Sequence, residues 1–147
     1  MKTVDFTEIT IQEYLQDPGV HAPPEIERYL YGQCHMFAIA LNKLSGLPIM
    51  VITEPRFTAT EGVYITGLVH AMCFKEGDVS RVFDAKGWRS IKDIEDSYYV
   101  HPDCTWRVVT AMGCEEIVSA VVPLEEEFFE QTLEFIKKHG YLEKINA

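Results

Sequence analysis

The clearest hydrophobic pattern in the chain is helical and lies between residues 34 and 45. Its inward positions carry apolar side chains at helical spacing, namely Phe37, Ala40, Leu41 and Leu44. Only Asn42 and Lys43 form a polar strip, which predicts that the helix is mostly buried. Gly46 and Pro48 follow, and we expect them to end it.

Short apolar runs separated by turn residues predict a β-sheet after this helix. The expected strands span residues 49–53, 68–74, 79–84, 106–110 and 117–122. We expect a loop over 55–62 and a turn over 75–78, between the second and third strands.

Helical signals lie on both sides of these strands. Residues 1–30 are predicted to be an irregular or partly helical lead-in, and Ser90 with Asp93 resembles a capping box that opens a short helix. A final helix is predicted from Pro123 through Lys138 with a stop at Gly140. Its inward residues are expected to be Leu124, Phe128, Leu133 and Ile136. This order predicts an α+β fold: a central helix packed on a mainly antiparallel sheet, with a C-terminal helix.

The composition is typical of a single domain, and the net charge disfavours some classes of partner. The 147 residues are 47% hydrophobic, enough for a core without disulfide or metal staples, so we expect a single domain over 1–147. With 13 Lys and Arg against 23 Asp and Glu, the formal net charge is −10. This charge argues against nucleic acid and anionic membranes as partners.

The cysteines and the first residues of the chain indicate the cellular compartment of the protein. The four cysteines, Cys34, Cys73, Cys104 and Cys114, contain no Cys-x-x-Cys pair. The opening residues mix acidic with apolar side chains, unlike a secretion signal, and no apolar run is long enough to span a membrane. We therefore expect reduced thiols and a cytoplasmic protein.

Cys34 is the first candidate for chemistry. It falls in the first turn of the predicted helix, where backbone N–H groups lack intrahelical partners and the helix dipole is positive. Both effects favour the thiolate, which is the nucleophilic form. Its helical face is the one expected to meet the sheet, so a base is expected on the strands.

His70 and Asp84 are the expected base and orienting group. His70 interrupts an apolar strand, and its pKa near neutrality suits proton exchange with a thiol. A two-residue turn at 76–77 would put Asp84 on the other face of the hairpin. We favour a three-residue turn at 76–78, which places His70 opposite Asp84 within hydrogen-bonding reach. The three residues then form a Cys-His-Asp triad.

The residues around Cys34 resemble a known family. Residues 31–38 read Tyr-Gly-Gln-Cys-His-Met-Phe-Ala and are similar to the Tyr-Gly-Gln-Cys-Trp-x-Phe-Ala segment around the transglutaminase nucleophile. The likeness continues to residue 53 through a Gly-Leu-Pro turn and a strand ending in Val-Ile-Thr, so it covers about a sixth of the chain. It implies a small transglutaminase-like, papain-related thiol domain, with the family's His and Asp roles falling on His70 and Asp84. Unlike the family, the chain has His35 in place of the Trp, and it has no room for the extra domains and calcium sites of the animal enzymes.

The expected function is a thiol-dependent amide hydrolase or acyltransferase of the peptidase, amidase or deamidase type. The backbone N–H of Cys34 is the first expected oxyanion donor, and Gln33, His35 and Trp88 are candidates for the second or for the cleft wall. Of these, His35 is expected on the cleft rim, facing away from Cys34, and Trp88 also suits plain packing. We expect a protein, peptide or small amide as substrate, and no cofactor or metal.

Two alternatives stay open. The chain can be a non-catalytic binding domain that keeps the scaffold. A zinc ion on Cys34, His70 and Asp84 is the competing chemistry, although those three lack the close ligand pairs of structural zinc sites. His101 and Cys104 are expected to be a surface and a structural residue.

Overall fold

A computed structural model describes Leu15, residues 23–119 and residues 125–146. Within that part of the chain, six helices surround one five-stranded sheet, which confirms the α+β class. The helices are α1 (Pro24–Leu30), α2 (Cys34–Ser45), α3 (Ile91–Ser97), α4 (Ala111–Ser119), α5 (Glu126–Lys138) and α6 (Tyr141–Ile145). The strands are β1 (Ile49–Thr58), β2 (Val63–Lys75), β3 (Asp78–Asp84), β4 (Gly87–Ser90) and β5 (Thr105–Val109). None of the described helices is long and apolar enough to cross a membrane.

The sheet is antiparallel between every pair of neighbours and has the order β4-β3-β2-β1-β5. The helix predicted over 34–45 is present as α2, and it packs on β2 and against α5. Gly46 adopts a left-handed conformation and ends the helix, as its sequence position predicts. The predicted central and C-terminal helices are thus confirmed.

Side chains on the two faces of the sheet enter two separate cores. Ala71 and Cys73 of β2 join the cluster that includes α2, α5 and α6. Met72 and Phe74 point to the opposite face, as strand alternation requires, and pack with Ile94 of α3. The strand therefore carries groups to both sides of the sheet near the start of α2.

The first hairpin is longer than predicted. β1 continues to Thr58 and β2 begins at Val63, so residues 55–58 belong to a strand and not to a loop. Pro55 lies inside β1, opposite Thr66 of β2 and beyond Thr53, where the pairing of β1 with β5 ends. On that side β1 is an edge of the sheet, where proline is tolerated.

The predicted register of the second hairpin is wrong. The turn contains two residues, because Lys75 pairs with Asp78. An irregularity next to this pair then shifts the ladder, so that Cys73 lies opposite Phe83. Continuing this register places Asp84 opposite residue 72, diagonal to His70 and on the same face. The bulge cannot be read from alternation alone, because the apolar residues fit either register.

Other differences lie after β3. The strand predicted over 117–122 is wrong for its described part, since residues up to 119 form α4; the rest lies outside the described residues. Thr110 marks the start of this helix, where its hydroxyl accepts a hydrogen bond from Gly113 N. β4 and α6 were not expected. Ser90 caps α3 by accepting from Asp93 N, which confirms that signal.

The structure describes only part of each predicted terminal segment. The lead-in is helical over Pro24–Leu30, and most of the remainder of 1–30 lies outside the described residues. The last long helix begins at Glu126, while Pro123 and Leu124 lie outside the described residues. Leu133 and Ile136 of α5 are buried as expected, and Phe128 packs against the core at its edge.

Candidate active site

Cys34 is the first residue of the buried helix α2. The preceding Gln33 makes no side-chain cap to the helix, so no side chain competes for the first backbone N–H groups. Gly32 has a φ of 108°, a left-handed value that favours glycine and turns the chain into the helix. Only 6% of Cys34 is exposed. The thiol therefore lies at the positive end of the helix, shielded from bulk water.

His70 and Asp84 meet beneath this thiol despite the shifted register. Nε2 of His70 lies 3.0 Å from Oδ2 of Asp84, and both residues are buried. The other carboxylate oxygen of Asp84 accepts a hydrogen bond from the backbone N–H of Lys86 at 2.9 Å. The contact survives because diagonal neighbours on one face of a sheet remain within reach of long side chains.

The surroundings favour a thiolate on Cys34. Burial raises the pKa of the Cys34 thiol, but the neighbouring His35 and His70 side chains, the charge of His70 and the Ala71 N–H outweigh burial and lower the pKa to about 6. Such a thiol is ionised at neutral pH.

The same pairing favours an imidazolium on His70. Burial lowers the pKa of His70, but hydrogen bonds to Asp84 and Cys34 and their negative charges raise it to about 9. Burial also raises the pKa of Asp84, and here the opposing contributions of His70, Arg89 and Lys86 hold it below its ordinary value. The three groups thus fit a thiolate, an imidazolium and a carboxylate.

Arg89 supports Asp84, a role that no local residue pattern indicates. Its Nη1 donates to Asp84 Oδ2 at 2.7 Å, while Nε and Nη2 donate to Asp93 and Ser97 of α3. Arg89 lies on the unpredicted strand β4 opposite Val82, so it enters the same face as Asp84. Predicting β4 would have been needed to find it.

The ring of Tyr98 stacks on the face of the His70 ring. The two rings are stacked with centroids 3.9 Å apart, and the Tyr98 hydroxyl donates to the carbonyl of Leu30 at 2.9 Å. Burial, followed by the nearby charges of Asp84 and Cys34, raises the pKa of Tyr98 and keeps the phenol protonated. The residue follows α3 directly, where no hydrophobic or polar pattern distinguishes it.

The expected cleft residues differ in their placement. His35 is buried and lines the same cavity as Cys34, although neither of its ring nitrogens has a hydrogen-bond partner among the described residues. The Oε1 atom of Gln33 is buried with no hydrogen-bond partner among the described residues. Trp88 packs edge-on against Phe83. It is not part of the cavity that Cys34 lines, so the structure does not bring it to the site.

A cavity of about 160 Å³ opens beside Cys34. Its lining is mostly apolar with few polar groups: Gly32, Cys34, His35, Arg56, Ile65, Thr66, Gly67, Leu68, Val69, Ile117 and Val118. Arg56 supplies the positive charge, and its Nη2 donates to the Leu68 carbonyl at 3.0 Å. This space is smaller than the roughly 300–1,000 Å³ of a drug-sized ligand site, so it suits one small group of a substrate.

Comparisons of the chain with protein-family models, with curated proteins and with solved structures found no match. The function therefore has to be inferred from the site itself. The site can form a buried ion pair, present a thiolate next to backbone N–H donors, and exclude bulk water. Among the residues that the structure describes, Cys34, His70 and Asp84 do not form a compact metal-ligand group, so zinc at this place gains no support.

Proposed function

We propose that the protein is a thiol-dependent amide hydrolase or acyltransferase that uses Cys34 as nucleophile, His70 as acid and base, and Asp84 as orienting carboxylate. The observation that carries the proposal is that the buried Cys34 thiol lies at the positive end of α2 beside His70, whose ring is hydrogen-bonded to the buried carboxylate of Asp84. A cysteine that only fills space has a pKa raised by burial, as Cys73 does. Cys34 is shifted in the opposite direction.

The first half of the reaction consumes the ion pair. The Cys34 thiolate forms a bond to the amide carbon, and the carbonyl oxygen becomes an oxyanion near the free N–H groups of the first α2 turn. The C–N bond then breaks, and the imidazolium of His70 gives its proton to the departing amine. The acyl group remains on sulfur as a thioester, and His70 is neutral.

The second half of the reaction restores the ion pair. Neutral His70 takes a proton from water or from an acceptor amine, whose oxygen or nitrogen attacks the thioester carbon. The C–S bond breaks, the thiolate leaves, and the ion pair is present again. Water gives hydrolysis or deamidation, and an amine gives acyl transfer. Asp84, fixed by Arg89, holds the imidazole in one orientation throughout.

Several features support the substrate class and setting. The resemblance of residues 31–53 to transglutaminases supports a papain-related domain acting on protein, peptide or small amide substrates. The small cavity beside Cys34 fits a side-chain carboxamide or a short acyl group better than a bulky one. The four free cysteines suit the reducing cytoplasm.

The test uses p-nitrophenyl acetate, a small activated ester that reports acyl transfer to any reactive thiol. We expect rapid acetylation of Cys34, identified by peptide mass spectrometry, followed by slower turnover. Cys34→Ala should abolish the burst, and His70→Asn should slow both phases. Cys104→Ser is the matched control, because Cys104 is a more accessible thiol outside the array. If Cys34 is acetylated no faster than Cys104, the proposal fails and the binding-domain alternative is favoured.

A further inference from the structure

A second cluster of chemical groups lies away from the triad. Ligand atoms of Glu54, His101 and Cys104 all lie within 4.8 Å of one another, and Glu54 Oε2 is 3.2 Å from His101 Nε2. Glu54 comes from β1, and the other two lie in the segment before β5. We propose that these three residues bind one zinc ion, or a similar first-row transition metal.

The backbone already brings two of the ligands together. His101 and Cys104 are three residues apart, which is a spacing used by close ligand pairs in zinc sites. The N–H of Cys104 donates to the carbonyl of His101 at 3.0 Å, so a tight turn presents both side chains on one side. Glu54 completes the group because β1 pairs with β5 up to Thr53, next to the end of this turn.

The distances require only small movements. A tetrahedral zinc with bonds of about 2.0–2.3 Å holds its ligand atoms roughly 3.5 Å apart. The side chains of Glu54 and His101 are 25% and 47% exposed, so rotation by about an ångström meets little packing. Three protein ligands leave the fourth position to water.

Two further residues, Arg56 and Asp103, contact the proposed ligands Glu54 and His101. Arg56 Nε donates to Glu54 Oε1 at 3.1 Å, which leaves Oε2 on the His101 side. Asp103 Oδ2 lies 3.9 Å from Nδ1 of His101, on the ring nitrogen opposite the one that faces Glu54. In metal sites, a histidine ligand usually donates its other ring N–H to a carboxylate, and a carboxylate ligand usually accepts a further hydrogen bond.

The donor set selects the metal. Calcium and magnesium prefer oxygen ligands alone, whereas one sulfur, one imidazole nitrogen and one carboxylate suit zinc. A thiolate on Cys104 and the Glu54 carboxylate together balance the two charges of the ion, and Arg56 and Asp103 balance each other. At this second site the proposal replaces the expectation of no metal.

Cobalt(II) and zinc titrations of the full chain test the proposal. We expect one equivalent of cobalt to bind with a sulfur-to-cobalt charge-transfer band that is lost in Cys104→Ser and kept in Cys34→Ser. In competition with a chromogenic chelator, His101→Ala should weaken zinc binding by more than about tenfold, and Asp103→Asn by about tenfold. Glu61→Gln, on the same hairpin as Glu54 and also exposed, is the matched control for Glu54→Gln.

Two results would overturn the proposal. If stoichiometric cobalt gives no thiolate band, the cluster does not bind metal and is only a surface hydrogen bond. The metal belongs to the triad if the band is lost in Cys34→Ser and kept in Cys104→Ser. Circular dichroism of each variant separates loss of binding from loss of fold, which matters most for Cys104→Ser because Cys104 packs against the second core.

Discussion

Replacing His70 by asparagine should raise the pKa of the Cys34 thiol by about three units. In the native protein that pKa is about 6, although burial alone raises it. His35 makes the largest contribution to this lowering, and the His70 side chain and its charge make the next two. Asparagine is neutral and can donate through its amide, so the variant removes the charge; it also removes the ring that stacks on Tyr98, and circular dichroism is the check that the fold is kept. The pKa should then return to about 9, the ordinary value, or above it.

The effect on reaction rate is smaller than the effect on ionisation. At pH 7 a thiol with a pKa of about 6 is about 90% thiolate, and one with a pKa near 9 is about 1% thiolate. The more basic thiolate is also the better nucleophile, by roughly twentyfold for three units at a Brønsted coefficient of about 0.45. Alkylation at pH 7 should therefore slow only about fourfold, and the midpoint of the pH profile is the decisive quantity.

The assay is iodoacetamide alkylation between pH 5 and 10, with Cys34 followed by peptide mass spectrometry. We expect a midpoint near pH 6 in the native protein and near or above pH 9 in His70→Asn. His139→Asn, a histidine replacement outside the array, should leave the midpoint unchanged. A native midpoint above pH 8, or a midpoint that stays near 6 in His70→Asn, would refute the ion pair. Cys73 should remain unlabelled throughout, because burial raises its pKa.

Three changes test the framework around the site. Arg89→Met leaves the Asp84 carboxylate buried with one charged partner fewer, so chemical denaturation should show a loss of about 3–5 kcal/mol; a loss under about 1 kcal/mol contradicts the assigned role. Tyr141→Phe removes a buried 2.8 Å hydrogen bond to the Ala85 carbonyl and should cost about 1–3 kcal/mol by the same measurement, whereas an unchanged midpoint would mean that water replaces the hydroxyl. Gly32→Ala forces a side chain onto a φ of 108° and should cost about 1–3 kcal/mol, and an unaffected melting temperature would show that this turn is not fixed.

Periodicity predicted the elements whose signals are local. α2 has an apolar face over three turns and a glycine stop, and the cap of α3 is formed by Ser90 and Asp93, which lie within four residues of each other. By contrast, residues 117–119 of α4 look like a strand when read alone. Its start depends on the Thr110 hydroxyl, a cap that becomes visible only with the helix in place.

The candidate site was predictable in its members and not in its geometry. His70 and Asp84 lie within hydrogen-bonding distance as expected, but through a diagonal contact that follows a bulge. Arg89 and Tyr98 were missed because tertiary contacts alone bring them to the site. Local residue patterns mark the groups that carry the chemistry, whereas packing from distant segments decides which neighbours tune them.

The protonation state of His70 tests the central claim most directly. Nitrogen-15 NMR of the imidazole reports whether both ring nitrogens carry protons. The pKa of about 9 predicts an imidazolium at pH 7.5 in the native protein, and its pKa should fall in Cys34→Ser because the thiolate is lost. A neutral His70 ring at pH 7.5, or a titration that Cys34→Ser leaves unchanged, would contradict the thiolate–imidazolium pair.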